Sequence, residues 1–129
     1  MSEPLWVHER DALALHARIL ALDGGPAGVR DPGLLEGALA RARQLHAYSK
    51  TIDIPGMAAA YIVGIVRNHP FLDGNKRTGF IVGVLFLEIN GYRFAASEEG
   101  AAQSVLSLAA GTFDENAIAA WMRANVKRQ

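Results

Sequence analysis

The 129-residue sequence contains no cysteine. This absence excludes disulfide bonds, thiolate metal sites and a cysteine nucleophile, and it favours the reducing cytoplasm as the compartment. The chain also lacks an excess of either charge, since 13 basic residues balance 13 acidic ones. Balanced charge argues against direct nucleic-acid binding and against bulk electrostatic attraction to anionic membranes.

Long hydrophobic runs and a targeting segment are missing as well. The most apolar run, residues 80–87, is far shorter than the roughly 20 residues that a membrane-spanning helix needs. Residues 1–6 lack the basic start and apolar stretch of a signal peptide. We therefore expect a cytoplasmic protein without a membrane anchor. The length and the 50% content of hydrophobic residues fit one globular domain over residues 1–129.

Helical periodicity dominates the sequence and predicts an all-α fold, a compact bundle of about six helices. Residues 57–66 and 78–89 are apolar on nearly every side, which is typical of a central buried helix pair. Residues 92–94 are predicted to be extended, so the fold has at most a short hairpin. Residues 44–56 lack a helical pattern, and within them residues 51–54 alternate like a strand that Pro55 and Gly56 end.

The polar loop between the two buried helices, residues 67–77, holds the residues best suited to chemistry. Four of them follow one another at the start of the second helix: Gly74, Asn75, Lys76 and Arg77. Free backbone N–H groups and the positive end of the helix meet there, and both favour an anion. The two cationic side chains add full charges, and an arginine can bind two phosphate oxygens at once. This stretch is predicted to bind phosphate.

Two further side chains of the loop complete the candidate site. Asp73 is the kind of oxygen ligand that Mg²⁺ prefers when it also binds substrate phosphates. A histidine such as His69 can take a proton from an attacking hydroxyl near neutral pH. Taken singly, these residues also fit a turn, a helix cap, a solvated pair of cations or a structural histidine. Their combination within residues 69–77 favours a phosphate-handling site instead.

The loop resembles the signature of the Fic/Doc family, whose general form is His-x-Phe-x-Asp/Glu-Gly-Asn-Gly-Arg-x-x-Arg. The matching residues are His69, Phe71, Asp73, Gly74, Asn75 and Arg77. Two positions depart, because Lys76 replaces the second glycine and Phe80 replaces the final arginine. Both departures are features of the death-on-curing (Doc) branch, the toxins of type II toxin–antitoxin modules. Further similarity to that branch extends over nearly the whole chain, at His16, Gly24-Gly25, 28–31, 34–36, 38–39, 108–111 and Trp121.

The resemblance implies a Fic/Doc-type helical bundle and a specific reaction. Most Fic enzymes transfer AMP from ATP, whereas Doc-like toxins bind the nucleotide in the opposite direction and transfer its γ-phosphate as kinases. Their target is a threonine of elongation factor Tu, and its phosphorylation stops translation. By this resemblance His69 is the catalytic base, Asp73 holds Mg²⁺ and residues 74–77 bind the phosphates of ATP. Residues 44–54 lie where the family has a target-positioning flap.

Two other functions remain open: an AMP transferase, and a catalytically idle module that binds a nucleotide or a partner. Many Fic enzymes inhibit themselves through a helix with the motif Ser/Thr-x-x-x-Glu-Gly/Asn, and the nearest stretch, residues 112–116, is one residue too short. Inhibition is therefore predicted to come from a Phd-like antitoxin whose disordered tail folds on this domain. His16 lies on the apolar face of the first helix and is predicted to be a core histidine.

Overall fold

The computed structural model describes residues 3–129. Within them the helices are α1 (Glu9–Asp23), α2 (Pro32–Tyr48), α3 (Ile54–Asn68), α4 (Asn75–Ile89), α5 (Glu98–Ala109) and α6 (Glu115–Ala124). Two short strands, β1 (Tyr92–Phe94) and β2 (Val126–Arg128), pair antiparallel. The prediction of an all-α bundle with at most a short two-stranded element is confirmed. None of the helices described is long and apolar enough to cross a membrane.

The centre of the core is α3, because nearly all of its residues are apolar and every one from Ile54 to Val66 is buried. Glycines allow its neighbours to pack closely. A Cβ atom at Gly64 would lie 3.1 Å from the Cα of Ala38 in α2, and one at Gly83 of α4 would lie 2.5 Å from Cγ1 of Ile62. The approach at Gly83 confirms the predicted central helix pair of α3 and α4, and the approach at Gly64 lets α2 pack closely on α3 as well.

The start of α3 shows that the strand expected over residues 51–54 was wrong. α2 continues to Tyr48, and the backbone becomes helical again at Ile54. Asp53 caps α3 by accepting a hydrogen bond from the N–H of Gly56 at 2.9 Å. Pro55 lies in the first turn, where its missing N–H breaks no hydrogen bond, so it begins the helix instead of ending a strand. The irregular segment therefore shrinks to residues 49–53.

The connection between α1 and α2, residues 24–31, lies along the loop between α3 and α4. Val29 and Phe71 form an isolated antiparallel bridge. The N–H of Leu72 donates to the carbonyl of Gly28 at 3.2 Å. These backbone contacts hold the candidate site loop against a second segment, so its position does not depend on its own two helices alone.

Candidate active site

His69 ends α3 in an unusual backbone conformation. Among residues 3–129 it is the single residue other than glycine with a positive φ, which is 54°. Its N–H still donates to the carbonyl of Ile65 at 3.1 Å, and its side chain is exposed. A left-handed backbone is uncommon for such a residue and needs support from its surroundings. Here the end of α3 turns so that the imidazole lies at the surface beside the loop.

Asn75 holds the loop closed through its side chain. Its Oδ1 accepts from the N–H of Phe71 and its Nδ2 donates to the carbonyl of the same residue, both at 2.9 Å. Asn75 is buried, and the ring of Phe71 is fully buried. Because the side-chain amide is occupied in this way, Asn75 can meet an anion through its backbone N–H.

His16 of α1 is buried, as predicted, and it also contacts the site loop. Its ring stacks on Phe71 with centroids 3.8 Å apart and planes 11° apart. Its Nε2 lies 2.8 Å from the carbonyl oxygen of Asp73, and because a carbonyl only accepts, Nε2 is the donor. The helical pattern indicated burial for His16 but gave no sign of this hydrogen bond.

The carboxylate of Asp73 is exposed, and each of its two oxygens lies against a glycine. Its Oδ1 accepts from the N–H of Gly74 at 2.9 Å. A Cβ at Gly25 would lie only 2.5 Å from Oδ2, so the other oxygen lies against that glycine. Residues 3–129 contain no group of three or more His, Asp or Glu residues arranged to hold a metal. Asp73 therefore fits Mg²⁺ that takes its remaining ligands from substrate phosphates and water.

A pocket of about 200 Å³ opens at the start of α4 and brings all the predicted site residues together. It is lined by His69, Asp73, Gly74, Asn75, Lys76 and Arg77. The first backbone hydrogen bond of α4 joins the N–H of Thr78 to the carbonyl of Gly74 at 2.9 Å. The amides of residues 75–77 precede that bond and have no acceptor within the helix. The arrangement suits a phosphate group.

Two larger cavities continue from this pocket in different directions. A cavity of about 440 Å³ shares His69 and Lys76 with it and reaches Arg67 and Leu108. On the other side lies the apolar cleft, a cavity of about 620 Å³ between α4 and α5. The cleft is lined by Lys76, Arg77, Phe80, Glu98, Ala101, Ala102, Val105 and Leu106. The central pocket thus has one polar exit past the histidine and one apolar exit past the two cations.

Arg77 is held at the mouth of the pocket by an ion pair with Asp23, the last residue of α1. Both side chains are about half exposed, so the pair is weak and an anion can compete for the guanidinium. Lys76 is exposed and lies at the meeting point of all three cavities. The positive charge of the site is therefore available to a ligand.

The ionisable groups whose pKa departs from its ordinary value lie away from the pocket. Hydrogen bonds from Arg123 at 2.7 and 2.9 Å lower the pKa of Asp53, and the same pair raises the pKa of Arg123. Burial raises the pKa of Tyr61, whose hydroxyl accepts from the N–H of Val7 at 3.1 Å. These groups stabilise the ends of α3 and the N-terminal segment.

The sequence is similar to those of known proteins. The sequence model of the Fic/DOC family matches residues 6–87, a range that includes the loop and most of α4. The chain belongs to the Fic/Doc family. The protein kinase doc of Escherichia phage P1 is 32% identical over 117 residues, which cover 91% of this chain and 92% of that protein. The toxin Doc of Mycolicibacterium smegmatis is 43% identical over 77 residues, 57% of each chain.

Membership of the Fic/Doc family explains why one loop concentrates the polar residues of an otherwise apolar region. The match to a protein kinase extends over most of both chains, and a kinase of this family takes a nucleotide as substrate. The match to a toxin implies a cognate antitoxin. The resemblance drawn from the signature residues is confirmed at the level of the family.

Proposed function

We propose that this protein is the toxin of a type II toxin–antitoxin module, a single-domain cytoplasmic kinase over residues 1–129. It transfers the γ-phosphate of ATP to a threonine or serine hydroxyl of elongation factor Tu and so arrests translation. The observation that carries the proposal is the pocket at the start of α4. There an exposed histidine, a carboxylate and two cations surround free backbone N–H groups. Likeness to a protein kinase over most of the chain supports the same reaction.

The phosphates of ATP are assigned to residues 74–77. The backbone N–H groups of residues 75–77 have no acceptor within the helix, and Lys76 and Arg77 add charge. Asp73 would hold Mg²⁺ through its carboxylate. When bound, the ion neutralises phosphate charge and orients the transferred group. Binding of MgATP should therefore depend on Asp73 as well as on the two cations.

His69 is assigned the role of general base. It lines both the phosphate pocket and the cavity that reaches Arg67 and Leu108, so an acceptor hydroxyl bound in that cavity would lie beside the imidazole. The hydroxyl oxygen bonds to the γ-phosphorus, its proton passes to His69, and the bond to ADP breaks. The products are the phosphorylated hydroxyl and ADP, and the proton leaves His69 to solvent.

The nucleoside is assigned to the apolar cleft between α4 and α5. The cleft shares Lys76 and Arg77 with the phosphate pocket, so a nucleotide can cross from one to the other without leaving the two cations. The volume of about 620 Å³ accommodates a purine and its ribose, and Ala102 and Val105 give it an apolar wall.

Phe80 favours phosphate transfer over AMP transfer. It stands where the family signature has its last arginine, and it packs on Phe94 and Trp121 with ring centroids 5.7 and 6.3 Å away. The ring belongs to an aromatic cluster and supplies no charge for β- or γ-phosphates. The AMP transferase is accordingly the second candidate. An idle binding module would leave the exposed His69 at the pocket without a purpose.

The test is expression in a bacterial host. The chain alone should arrest growth, co-expression of the small antitoxin encoded beside it should restore growth, and His69→Ala should abolish the arrest. We expect the antitoxin to be Phd-like, with a tail that folds on binding. Normal growth with high levels of soluble wild-type chain would contradict the proposal. Arrest that persists with His69→Ala would remove the histidine from the mechanism.

A further inference from the structure

We propose that His16 is a positioning residue of the active site, which fixes the peptide between Asp73 and Gly74 and thereby directs the carboxylate of Asp73. The role rests on the proposed function, because it concerns how the Mg²⁺ ligand is oriented. His16 itself lies behind the loop and does not line the pocket.

The imidazole is held firmly enough to act as a fixed point. His16 is 5% exposed, and its ring stacks on the fully buried ring of Phe71 with centroids 3.8 Å apart. A Cβ at Gly74 would lie 3.6 Å from its Cδ2, so the edge of the ring faces the space beside that glycine. A buried polar ring is costly unless it is hydrogen-bonded, and the bond to the carbonyl of Asp73 at 2.8 Å supplies that partner.

The peptide transmits this constraint to the carboxylate. In a trans peptide the C=O and the following N–H point in opposite directions. Fixing the carbonyl oxygen of Asp73 on His16 therefore aims the N–H of Gly74 away from α1. That N–H donates to Oδ1 of Asp73 at 2.9 Å, while Gly25 bounds Oδ2 on the other side. The positive φ of 80° at Gly74 allows the chain to turn into α4 directly after this contact.

Packing alone does not account for a histidine at this position. An apolar side chain would fill the space between α1 and Phe71 without a desolvation cost, but it would leave the carbonyl of Asp73 without its donor. The required property is an N–H at the end of a side chain that extends two or three bonds beyond Cβ. Glutamine offers such a donor, and methionine has nearly the same length and shape without it. This pair of substitutions separates the hydrogen bond from the packing.

The experiment compares His16→Gln and His16→Met in the full chain with the wild type. Affinity for ATP is measured by calorimetry with Mg²⁺ and with EDTA, and melting temperatures are measured alongside. We expect the Mg²⁺-dependent gain in affinity to fall about three- to tenfold in His16→Met, the range of one hydrogen bond, and to stay within about twofold of wild type in His16→Gln. Affinity in EDTA should be equal in all three proteins. The ranking of the proteins by Mg²⁺-dependent affinity for ATP should differ from their ranking by melting temperature.

A second readout does not depend on the nucleotide. In the ligand-free protein the amide resonance of Gly74 should shift or broaden in His16→Met and stay near its wild-type position in His16→Gln. An unchanged Gly74 amide in His16→Met, or equal loss of Mg²⁺-dependent affinity in both variants, would overturn the positioning role. A wild type that fails to phosphorylate elongation factor Tu, while the Gly74 amide and the MgATP affinity still change in His16→Met and not in His16→Gln, would show that the proposed target is wrong. In that case the positioning role stands.

Discussion

Arg30 donates from Nε to the backbone carbonyl of His69 at 2.8 Å and from Nη2 to that of Asn68 at 3.0 Å. These carbonyls belong to the last turn of α3, where no helical N–H remains to bond them and a positive charge is favourable. The guanidinium thus supports the left-handed backbone of His69 from the α1–α2 connection. The backbone that carries the proposed base is held by a residue 39 positions away in the sequence.

Arg30→Gln should lower both stability and activity. Loss of these exposed hydrogen bonds should reduce the free energy of unfolding by about 0.5–1.5 kcal/mol, and the backbone of His69 should lose its support, so phosphate transfer should slow even where the protein is fully folded. Urea denaturation and a transfer assay measure the two effects. Arg18→Gln, an exposed arginine of α1, is the matched control, and an equal effect of that variant would contradict the role of Arg30.

His69→Asn should abolish phosphate transfer while binding of MgATP survives. Asparagine tolerates a left-handed backbone better than most residues, so this variant removes the base without straining the end of α3. General-base catalysis contributes about 10²–10⁴-fold, and the loss should lie in that range. Single-turnover rates and calorimetry report the two quantities. Transfer at near wild-type rates would show that another group accepts the proton.

Ala102→Trp should weaken nucleotide binding by filling the apolar cleft. Ala102 is exposed on α5 and lines the cleft, so the larger ring needs no room in the core. Gln103→Trp is the control, since Gln103 is equally exposed on the same helix and is not among the residues that line the cleft. Affinity for ATP should fall at least about tenfold in the first variant, or about 1.4 kcal/mol, and stay unchanged in the second. Unchanged affinity in both would place the nucleoside elsewhere.

Asp53→Asn should reduce stability at neutral pH, and this loss should shrink as the pH falls into the acid range. The bond to Arg123 lowers the pKa of Asp53 below its ordinary value near 3.8, so its contribution is present above that value and is lost as the pH falls through the folded-state pKa. Asparagine also caps a helix, so the variant removes the ion pair alone. Since the side chains are 43% and 52% exposed, the loss should be at most about 1 kcal/mol. Denaturation at pH 7 and pH 3 checks the difference.

Much of the fold followed from the sequence because the apolar pattern of α3 and α4 is strong and local. Asp31, Ser97 and Asp114 are of the residue types that favour the N-cap of a helix, and each accepts a backbone hydrogen bond there. The error at residues 51–54 arose because Ile52 and Ile54 alternate across a helix start. The N-cap Asp53 and the proline Pro55 in the first turn favour a helix start more strongly than the two alternating isoleucines favour a strand.

The candidate site was predictable only where its residues adjoin one another along the chain. Residues 69–77 form one loop and the first turn of α4, so their spacing alone placed them together. His16 and Asp73 are 57 positions apart, Arg30 and His69 are 39 apart, and neither hydrogen bond has a local pattern. Such contacts depend on how α1 and the following connection pack against the loop, which periodicity does not specify.

The most direct test of the proposed reaction is the intact mass of purified elongation factor Tu after incubation with this protein, ATP and Mg²⁺. We expect a single phosphate-sized increase that requires His69 and is absent when the ATP is replaced by AMP. An AMP-sized increase would contradict the kinase and favour the AMP transferase. An unchanged mass, with MgATP bound and the protein folded, would contradict elongation factor Tu as the target.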